Sequence, residues 1–320
     1  MTTAELSAPP SSLAHLHAAR PMRSPTRIAL GRFLRHRAAM VGMIILIGII
    51  LYVVVGSLIF SEAEANYNDT SLRLQPPSAL HPFGTDRVGR DILARTIYGG
   101  QISLIIGFVS MLIEISLGTA AGAIAGYYGG LIDTVLMRFT EAMLSIPSLV
   151  LLLVMAKFFG GKIADIELFG RTFSGSVLVI ILILGLTSWM ELSRIVRSNV
   201  LVLKESDFVL AARAMGASDK RIILAHLLPN SMATIIVAAT LGVATAILSE
   251  AYVSFLGLGV QAPTASWGNI LTEAQEFQII KDAPWYWLFP SLLILLTVLS
   301  INYVGDGLRD ALDPRTDKRV

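Results

Sequence analysis

Six long apolar segments dominate this sequence and limit the folds open to it. They cover residues 38–60, 99–127, 132–158, 175–195, 231–256 and 285–304. A helix needs about 20 apolar residues to cross the hydrocarbon core of a bilayer. Only helices and closed barrels satisfy their backbone hydrogen bonds in lipid, and segments of this length fit helices. We therefore predict an all-α, polytopic membrane protein with six transmembrane helices.

Composition supports a membrane environment and excludes several kinds of site. Charged residues make up 15% of the chain and the mean hydropathy is +0.68, whereas soluble domains carry about 25% charged residues. The chain has no cysteine, which excludes disulfides and thiolate chemistry. Motifs for serine hydrolases, zinc proteases and P-loop nucleotide binding are also missing. We expect a non-catalytic protein that holds no metal and binds no nucleic acid.

The distribution of basic residues predicts the orientation. Six arginines precede the first span, and six basic residues lie from Arg194, at the end of the fourth span, to Arg221, before the fifth span. Because cytoplasmic loops carry an excess of Lys and Arg, both termini are expected in the cytoplasm. This divides the chain into a partly disordered cytoplasmic tail (1–37), a first membrane anchor (38–60), an extracytoplasmic loop (61–98), a five-helix core (99–305) and a cytoplasmic C-terminal tail (306–320). The anchor is too long for a cleaved signal sequence.

Two features lie outside the simplest span pattern. In residues 85–98, charged residues of opposite sign recur four apart, as in Asp86 and Arg90. This spacing favours a short helix on the outer membrane surface.

The third span is interrupted by Arg138, Glu141 and Pro147. Its prediction as a membrane span therefore has the least support of the six.

Small and acidic residues inside the spans are candidates for packing and for transport. Gly118, Gly122 and Gly126 are spaced four apart, a pattern that lets helix backbones approach closely. Packing within the chain, a subunit interface and a pore-lining face all fit that pattern. Acidic residues at membrane depth are costly and tend to face protein or water; Glu114, Glu141, Glu191 and Glu250 are of this kind. We take Glu114, Glu141 and Glu250 as pathway candidates, with pairing to a neighbouring helix as the alternative.

The longest cytoplasmic connection, within the segment 198–230, has the pattern of a helix–glycine–helix. Phe208, Ala211, Ala212 and Met215 follow helical spacing as an apolar stripe. Asp207 or Ser206 is placed to cap the first helix and Ser218 the second, and Gly216 suits a left-handed stop between them. This knob is expected to dock on a soluble partner; an amphipathic helix pair on lipid is the alternative.

Four groups of residues carry a family resemblance. Residues 211–216 followed by 222–230 resemble the "EAA" coupling motif of ATP-binding-cassette (ABC) importer permeases, with Leu210 where that motif opens with an acidic residue. Residues 84–91, 254–268 and 305–314 are similar to peptide/nickel-type permeases, in particular the C-type subunit of oligopeptide and dipeptide importers. The resemblance covers residues 30–315, nearly the whole chain.

The resemblance implies a type I ABC importer permease fold and a set of partners. A homologous B-type permease would form a heterodimer with this chain in the cell (inner) membrane. Two ATPase subunits would bind the coupling elements and hold ATP and Mg²⁺, while this chain would bind no cofactor. An extracytoplasmic binding protein would deliver the cargo.

The resemblance also implies which residues dock the ATPase. Those residues are Asp207, Phe208, Ala211, Ala212, Arg213, Met215, Gly216, Ala217, Ser218 and Arg221. Peptides are the expected cargo, with dipeptide, glutathione, nickel chelate or haem as alternatives. A secondary transporter is a weaker interpretation because no inverted repeat is visible, and a membrane enzyme is weaker still.

Overall fold

The computed structural model describes residues 25–168 and 171–313, and this part of the chain is almost entirely helical. The predicted disorder of the N-terminal tail falls mostly on residues 1–24, outside the described ranges. The helices are α1 (Pro25–Arg35), α2 (Arg37–Ile59), α3 (Glu62–Asn66), α4 (Ile92–Tyr128), α5 (Gly130–Leu144), α6 (Ser148–Phe159), α7 (Gly175–Leu203), α8 (Asp207–Ala214), α9 (Asp219–Arg221), α10 (Leu228–Phe255), α11 (Trp267–Ile270), α12 (Phe277–Asp282) and α13 (Pro284–Leu312).

Short elements complete the fold. Residues Thr70–Leu72 and Leu271–Gln275 are 3₁₀ turns, and Ile222–Leu227 is a π-helical segment that joins α9 to α10. Strands β1 (Ile166–Leu168) and β2 (Arg171–Phe173) form an antiparallel hairpin. The predicted all-α membrane fold is confirmed, with this hairpin as a small addition.

The number of spans agrees with the sequence. Among the described residues, five helices are long and apolar enough to cross a membrane: α2, α4, α7, the continuous run Asp219–Phe255 that includes α10, and α13. The third predicted span, over residues 132–158, is instead the pair α5 and α6, bent by 86°, and the count reaches six when this pair is taken as one span. Pro147 lies at the bend with extended backbone angles. A proline disfavours helical conformation in the residue before it, and this explains the break.

α4 and α7 form the centre of the molecule and are held together by the glycines spaced four apart. A Cβ added at Gly122 would lie 2.4 Å from the carbonyl oxygen of Ser193. Added Cβ atoms at Gly118 and Gly126 would also lie within 3 Å of α7 atoms. The glycine edge of α4 therefore packs inside the chain. α10 packs against α4, α7 and α13, and α2 packs along α13.

Residues 85–91 form a turn and not the predicted surface helix. Gly84 and Gly89 have positive φ angles of 73° and 83°, which a helix cannot include. One carboxylate oxygen of Asp86 accepts hydrogen bonds from the N–H groups of Val88 and Arg90. The expected pair of Asp86 and Arg90 does form, at 2.5 Å, but across this turn. The charges that suggested a helix serve here to close a loop.

Three helices extend beyond their predicted ends. α4 begins at Ile92, not at 99, and its first turns are buried against α3 and the segment before α13. The fifth span begins at Asp219, where Asp219–Arg221 are exposed. α13 runs to Leu312, through the start of the predicted C-terminal tail, and one side of its last turns packs against α1. Hydropathy along the sequence does not reveal these extensions, because they carry polar residues on their exposed sides.

Candidate functional site

The knob (residues 207–221) lies at one end of the helix bundle, and its turn is built around Gly216. That residue has φ of +80°, a left-handed conformation that favours glycine. The N–H of Ala217 donates to the carbonyl of Ala212, and the N–H of Gly216 donates to the carbonyl of Arg213. This is the hydrogen-bond pattern of a Schellman motif, which ends α8 and redirects the chain into α9.

The buried side of the knob is formed by Val209 and Ala212. The side chain of Val209 packs, with Ile222 and Leu227, against α4 and α7. Ala212 is 3% exposed. The stripe predicted from the sequence therefore does not form one surface, because Ala212 faces the protein whereas Phe208, Ala211 and Met215 face outward. Val209 was missed, although it lies three residues before Ala212 on the same helical side.

The outward side of the knob is apolar at its centre and charged at its edge. Met215 is 82% exposed, and Phe208 and Leu210 are also exposed. Around them, five more residues predicted for docking are exposed: Asp207, Arg213, Gly216, Ser218 and Arg221. The exceptions are Ala217, which is half-buried, and Ala212, which is buried. Ser206 and Ser218 occupy the N-cap positions of α8 and α9, but neither side chain makes a capping hydrogen bond. An exposed apolar cluster of this kind is typical of a protein–protein contact.

Polar contacts fix the knob to the transmembrane helices. The hydroxyl of Tyr127, at the end of α4, donates to Asp219 in α9 at 2.6 Å. The guanidinium of Arg213 lies over the Tyr127 ring, 5.8 Å from its centroid. Nearby, Arg197 of α7 donates to Asp133 of α5 at 2.6 Å. These contacts attach the knob to the end of α4, and α9 continues into α10 through the π segment.

The π segment ends where Pro229 enters the helix. The N–H of Leu228 donates to the carbonyl of Ile223, five residues earlier. Pro229 has no N–H and cannot continue an α-helical hydrogen-bond ladder. The π turn carries the chain past Pro229 without a break in the helical run Asp219–Phe255.

A cavity of about 500 Å³ opens in the middle of the bundle. Its walls come from α4, α7, α10 and the bend between α5 and α6. Polar lining residues are Glu114, Ser145, Ser148, Thr187, Ser188, Glu191, Thr245 and Ser249. The bend at Pro147 matters here, because it places the backbone of residues 145–148 at the cavity wall.

The acidic residues singled out in the sequence have different surroundings. Glu114 and Glu191 both line the cavity, and within the described residues neither pairs with a basic side chain. Gly242 makes room for Glu114, whose Oε2 lies 2.8 Å from where a Cβ at position 242 would be. Glu141 instead lies exposed on α5, where it pairs with Arg138 at 3.0 Å. In the described ranges, no group of three or more metal-ligating side chains comes together.

Glu250 is fully buried and does not line the cavity. It accepts hydrogen bonds from the hydroxyls of Ser103 at 2.9 Å and Ser254 at 2.6 Å. The Ser103 hydroxyl in turn accepts from the backbone N–H of Trp267. Glu250 thus joins α4, α10 and the loop that follows α10. Sequence position alone does not separate this buried acid from Glu114.

The end of the bundle opposite the knob is covered by tightly linked loops. Arg87 of the 85–91 turn pairs with Glu276 and Glu273 of the loop between α10 and α13. The hydrogen bonds from Arg87 hold the pKa of Glu276 below its ordinary value. The indole N–H of Trp267 donates to the carbonyl of Thr96 at 2.8 Å. These contacts give the opposite end a well-defined surface.

Two family models match this chain. Residues 118–318 match the model for the binding-protein-dependent transport system inner membrane component. Residues 24–77 match the model for the N-terminal transmembrane domain of oligopeptide transport permease C. The first match covers the knob and the cavity lining except Glu114, and the second covers α1, α2 and part of the loop after them.

Similar proteins of known name and structure agree with these matches. The dipeptide transport system permease protein DppC of Alkalihalophilus pseudofirmus is 43% identical over 292 residues, which is 91% of this chain and 90% of that protein. DppC of Bacillus subtilis is 39% identical and covers 92% of this chain and 88% of its own length. A chain of the MetNI methionine ABC transporter, solved in inward-facing conformations, superposes with a TM-score of 0.53 at 21% identity, over 69% of this chain and 98% of that one. The last comparison shows a shared fold.

Proposed function

The chain belongs to the family of binding-protein-dependent transport system inner membrane components, and from this we propose that it is the C-type permease subunit of an ABC importer for peptides. The observation that carries the coupling role is the knob. It presents an apolar cluster outward while hydrogen bonds attach it to α4 and a continuous helix joins it to α10. Such an element can pass a movement of a docked partner to the spans.

The partners follow from this role. We propose that ATPase subunits dock on Phe208, Leu210, Ala211 and Met215, with Asp207, Arg213 and Arg221 at the rim. The chain itself binds no cofactor in this proposal, and ATP and Mg²⁺ belong to the ATPases. A homologous B-type permease completes the translocation path as a heterodimer, and an extracytoplasmic binding protein docks at the end opposite the knob. Both termini then lie in the cytoplasm, as the excess of basic residues at the knob end indicates.

The central cavity is the proposed contribution of this chain to the cargo path. It lies between the two ends of the spans and carries hydroxyls and two carboxylates among apolar residues. A peptide offers an ammonium group and backbone amides, and both find partners in such a lining. Because Glu114 lines this cavity, we propose it as a residue of the cargo pathway. Glu141 lies on the exposed side of α5, and Glu250 serves the loop network.

Peptide cargo is supported by the relatives. The two DppC proteins are named for dipeptide transport, and the N-terminal model is named for oligopeptide transport. Glutathione, a nickel chelate and haem remain alternatives that a competition assay separates.

A reconstitution experiment tests the proposal. The tagged chain is expressed with its neighbouring permease, ATPase and binding-protein subunits, purified in mild detergent and placed in proteoliposomes. We expect the ATPases to co-purify and labelled di- and oligopeptides to enter only with ATP and the binding protein. Recovery of the chain without ATPases, even after crosslinking in membranes, would overturn the proposal.

One substitution isolates the knob surface. Met215→Asp places a charge at the centre of the exposed apolar cluster and touches no buried contact. We expect the variant to fold normally, to recover less ATPase and to lose uptake. As a control we choose Glu167→Gln in the hairpin, because Glu167 is exposed and far from the knob. Leu58→Asp would not serve as a control, because Leu58 faces lipid. Unchanged ATPase recovery with Met215→Asp would contradict the assigned docking surface.

A further inference from the structure

α1 is a basic, amphipathic helix directly before the first span. Residues 25–37 contain four arginines and no acidic residue; the arginines are Arg27, Arg32, Arg35 and Arg37. The helix also carries two exposed leucines on one side, Leu30 at 57% and Leu34 at 54% exposure. These two are four residues apart and therefore neighbours on the helix surface.

The position of α1 along the membrane normal is set by α2. Only His36 separates the two helices, and its extended backbone breaks the helix, while its ring accepts a hydrogen bond from the N–H of Ala39. The apolar run of α2 starts at Ala38. One extended residue spans less than 4 Å. The end of α1 therefore lies at the level of the lipid headgroups at which α2 enters the membrane.

Contacts with α13 determine which side of α1 faces the protein. The ring of Phe33 is buried and lies over Gly307, where an added Cβ would meet it at 3.3 Å. Arg32 donates to the backbone carbonyl of Asp313 at 3.2 Å, and His36 lies 3.4 Å from Asp310. With Phe33 directed at the protein, Arg35 lies about 200° further around the helix and points away from α13.

The pairing of the charged residues indicates what contacts the exposed side of α1. Asp310 and Asp313, at the end of α13, engage His36 and Arg32, whereas in the described part of the chain Arg35 and Arg37 pair with no carboxylate. Leucines beside unpaired arginines, at headgroup depth, match a bilayer surface with anionic lipids. We propose that α1 lies in the membrane interface, with Leu30 and Leu34 in the acyl-chain boundary and Arg35 and Arg37 binding anionic phospholipid headgroups.

The test uses the absence of cysteine in the chain. Single variants Leu30→Cys and Leu34→Cys of the full chain are labelled with an environment-sensitive fluorophore. They are placed in nanodiscs of mixed phosphatidylglycerol and phosphatidylcholine. One of the two lipids at a time carries a spin label near the top of its acyl chain. We expect both labels to be quenched, and more strongly by spin-labelled phosphatidylglycerol.

Removing charge tests the headgroup contact. A basic residue near an anionic surface contributes about 1 kcal/mol, so Arg35→Gln and Arg37→Gln should each lower the preference for phosphatidylglycerol by about fivefold. Arg221→Gln, which removes the same charge from the knob, should leave the preference unchanged. A label at Met215→Cys should stay unquenched, and one at Ile44→Cys, on the lipid side of α2, should be quenched equally by both lipids.

Three results would overturn the proposal. Quenching of the Leu34→Cys label by aqueous iodide would place it in water. Protection from both iodide and spin-labelled lipid would mean that protein covers α1. Equal quenching by the two lipids, unaffected by the arginine variants, would remove anionic headgroups as the ligand. None of these readouts depends on peptide transport, so a failure here leaves the proposed function untouched.

Discussion

At the residue scale, Gly122 and Gly48 show that helical glycines in one membrane protein do different things. An added Cβ at Gly122 would lie 2.4 Å from a backbone oxygen of α7, which cannot move aside without separating the helices. An added Cβ at Gly48 on α2 would meet nothing within 4 Å. The two positions share chemistry and secondary structure and differ only in what packs against them.

We predict that Gly122→Ala destabilises the protein by about 1–3 kcal/mol, the usual cost of overpacking. Gly48→Ala should be neutral or stabilising, since alanine favours a helix over glycine by about 1 kcal/mol. Thermal unfolding of both variants in the same detergent checks this. Equal midpoints for the two variants would contradict the packing described for α4 and α7.

Ala212 is the second residue-scale case. Its side chain is enclosed by the buried side of the knob, so Ala212→Asp would bury a charge without a partner, at a cost of several kcal/mol. We predict loss of stable, monodisperse protein, whereas Met215→Asp should change stability by no more than about 0.5 kcal/mol. Size-exclusion profiles and unfolding midpoints measure both. A stable Ala212→Asp variant would show that the knob is mobile enough to expose this side.

At the element scale, the Glu250 network explains how a loop without regular structure is held on the bundle. The carboxylate accepts from Ser103 of α4 and Ser254 of α10, and Ser103 holds the first residue of α11. Each end of this chain of hydrogen bonds belongs to a different element. The buried carboxylate of Glu250 therefore has a structural role, because it links α4, α10 and α11.

We predict that Glu250→Ala lowers the free energy of unfolding by about 1–3 kcal/mol, because the buried hydroxyls lose their acceptor. Glu250→Gln retains an acceptor oxygen and should recover part of the loss. Limited proteolysis of the loop that follows α10, together with unfolding midpoints, measures both effects. If Glu250→Ala is as stable as the parent chain but inactive, the residue acts in transport and the structural role is wrong.

At the scale of the whole molecule, the cavity is the feature that no single element contains. Five helices (α4, α5, α6, α7 and α10) and the break between α5 and α6 contribute to it. Thr245 lies on its α10 wall, with its side chain exposed to the open space.

We predict that Thr245→Trp fills much of the cavity and strongly reduces ATP-dependent peptide uptake while ATPase recovery stays normal. Val54→Trp on the lipid-facing side of α2 adds the same side chain without entering the cavity. It should transport normally. Full uptake by Thr245→Trp would place the cargo path elsewhere.

The presence of the long apolar spans and the left-handed turn at Gly216 follow from the sequence by itself. The reason is that transfer of apolar segments into lipid and the φ freedom of glycine are local properties of the chain. The tertiary structure decided the rest. It placed the charged residues of 85–91 in a closed turn, and it bent the third predicted span at Pro147. It buried Ala212 while exposing Met215, and placed Glu114 at the cavity but gave Glu250 a structural role. Each of these outcomes depends on which neighbour a side chain meets, and periodicity along one helix does not contain that information.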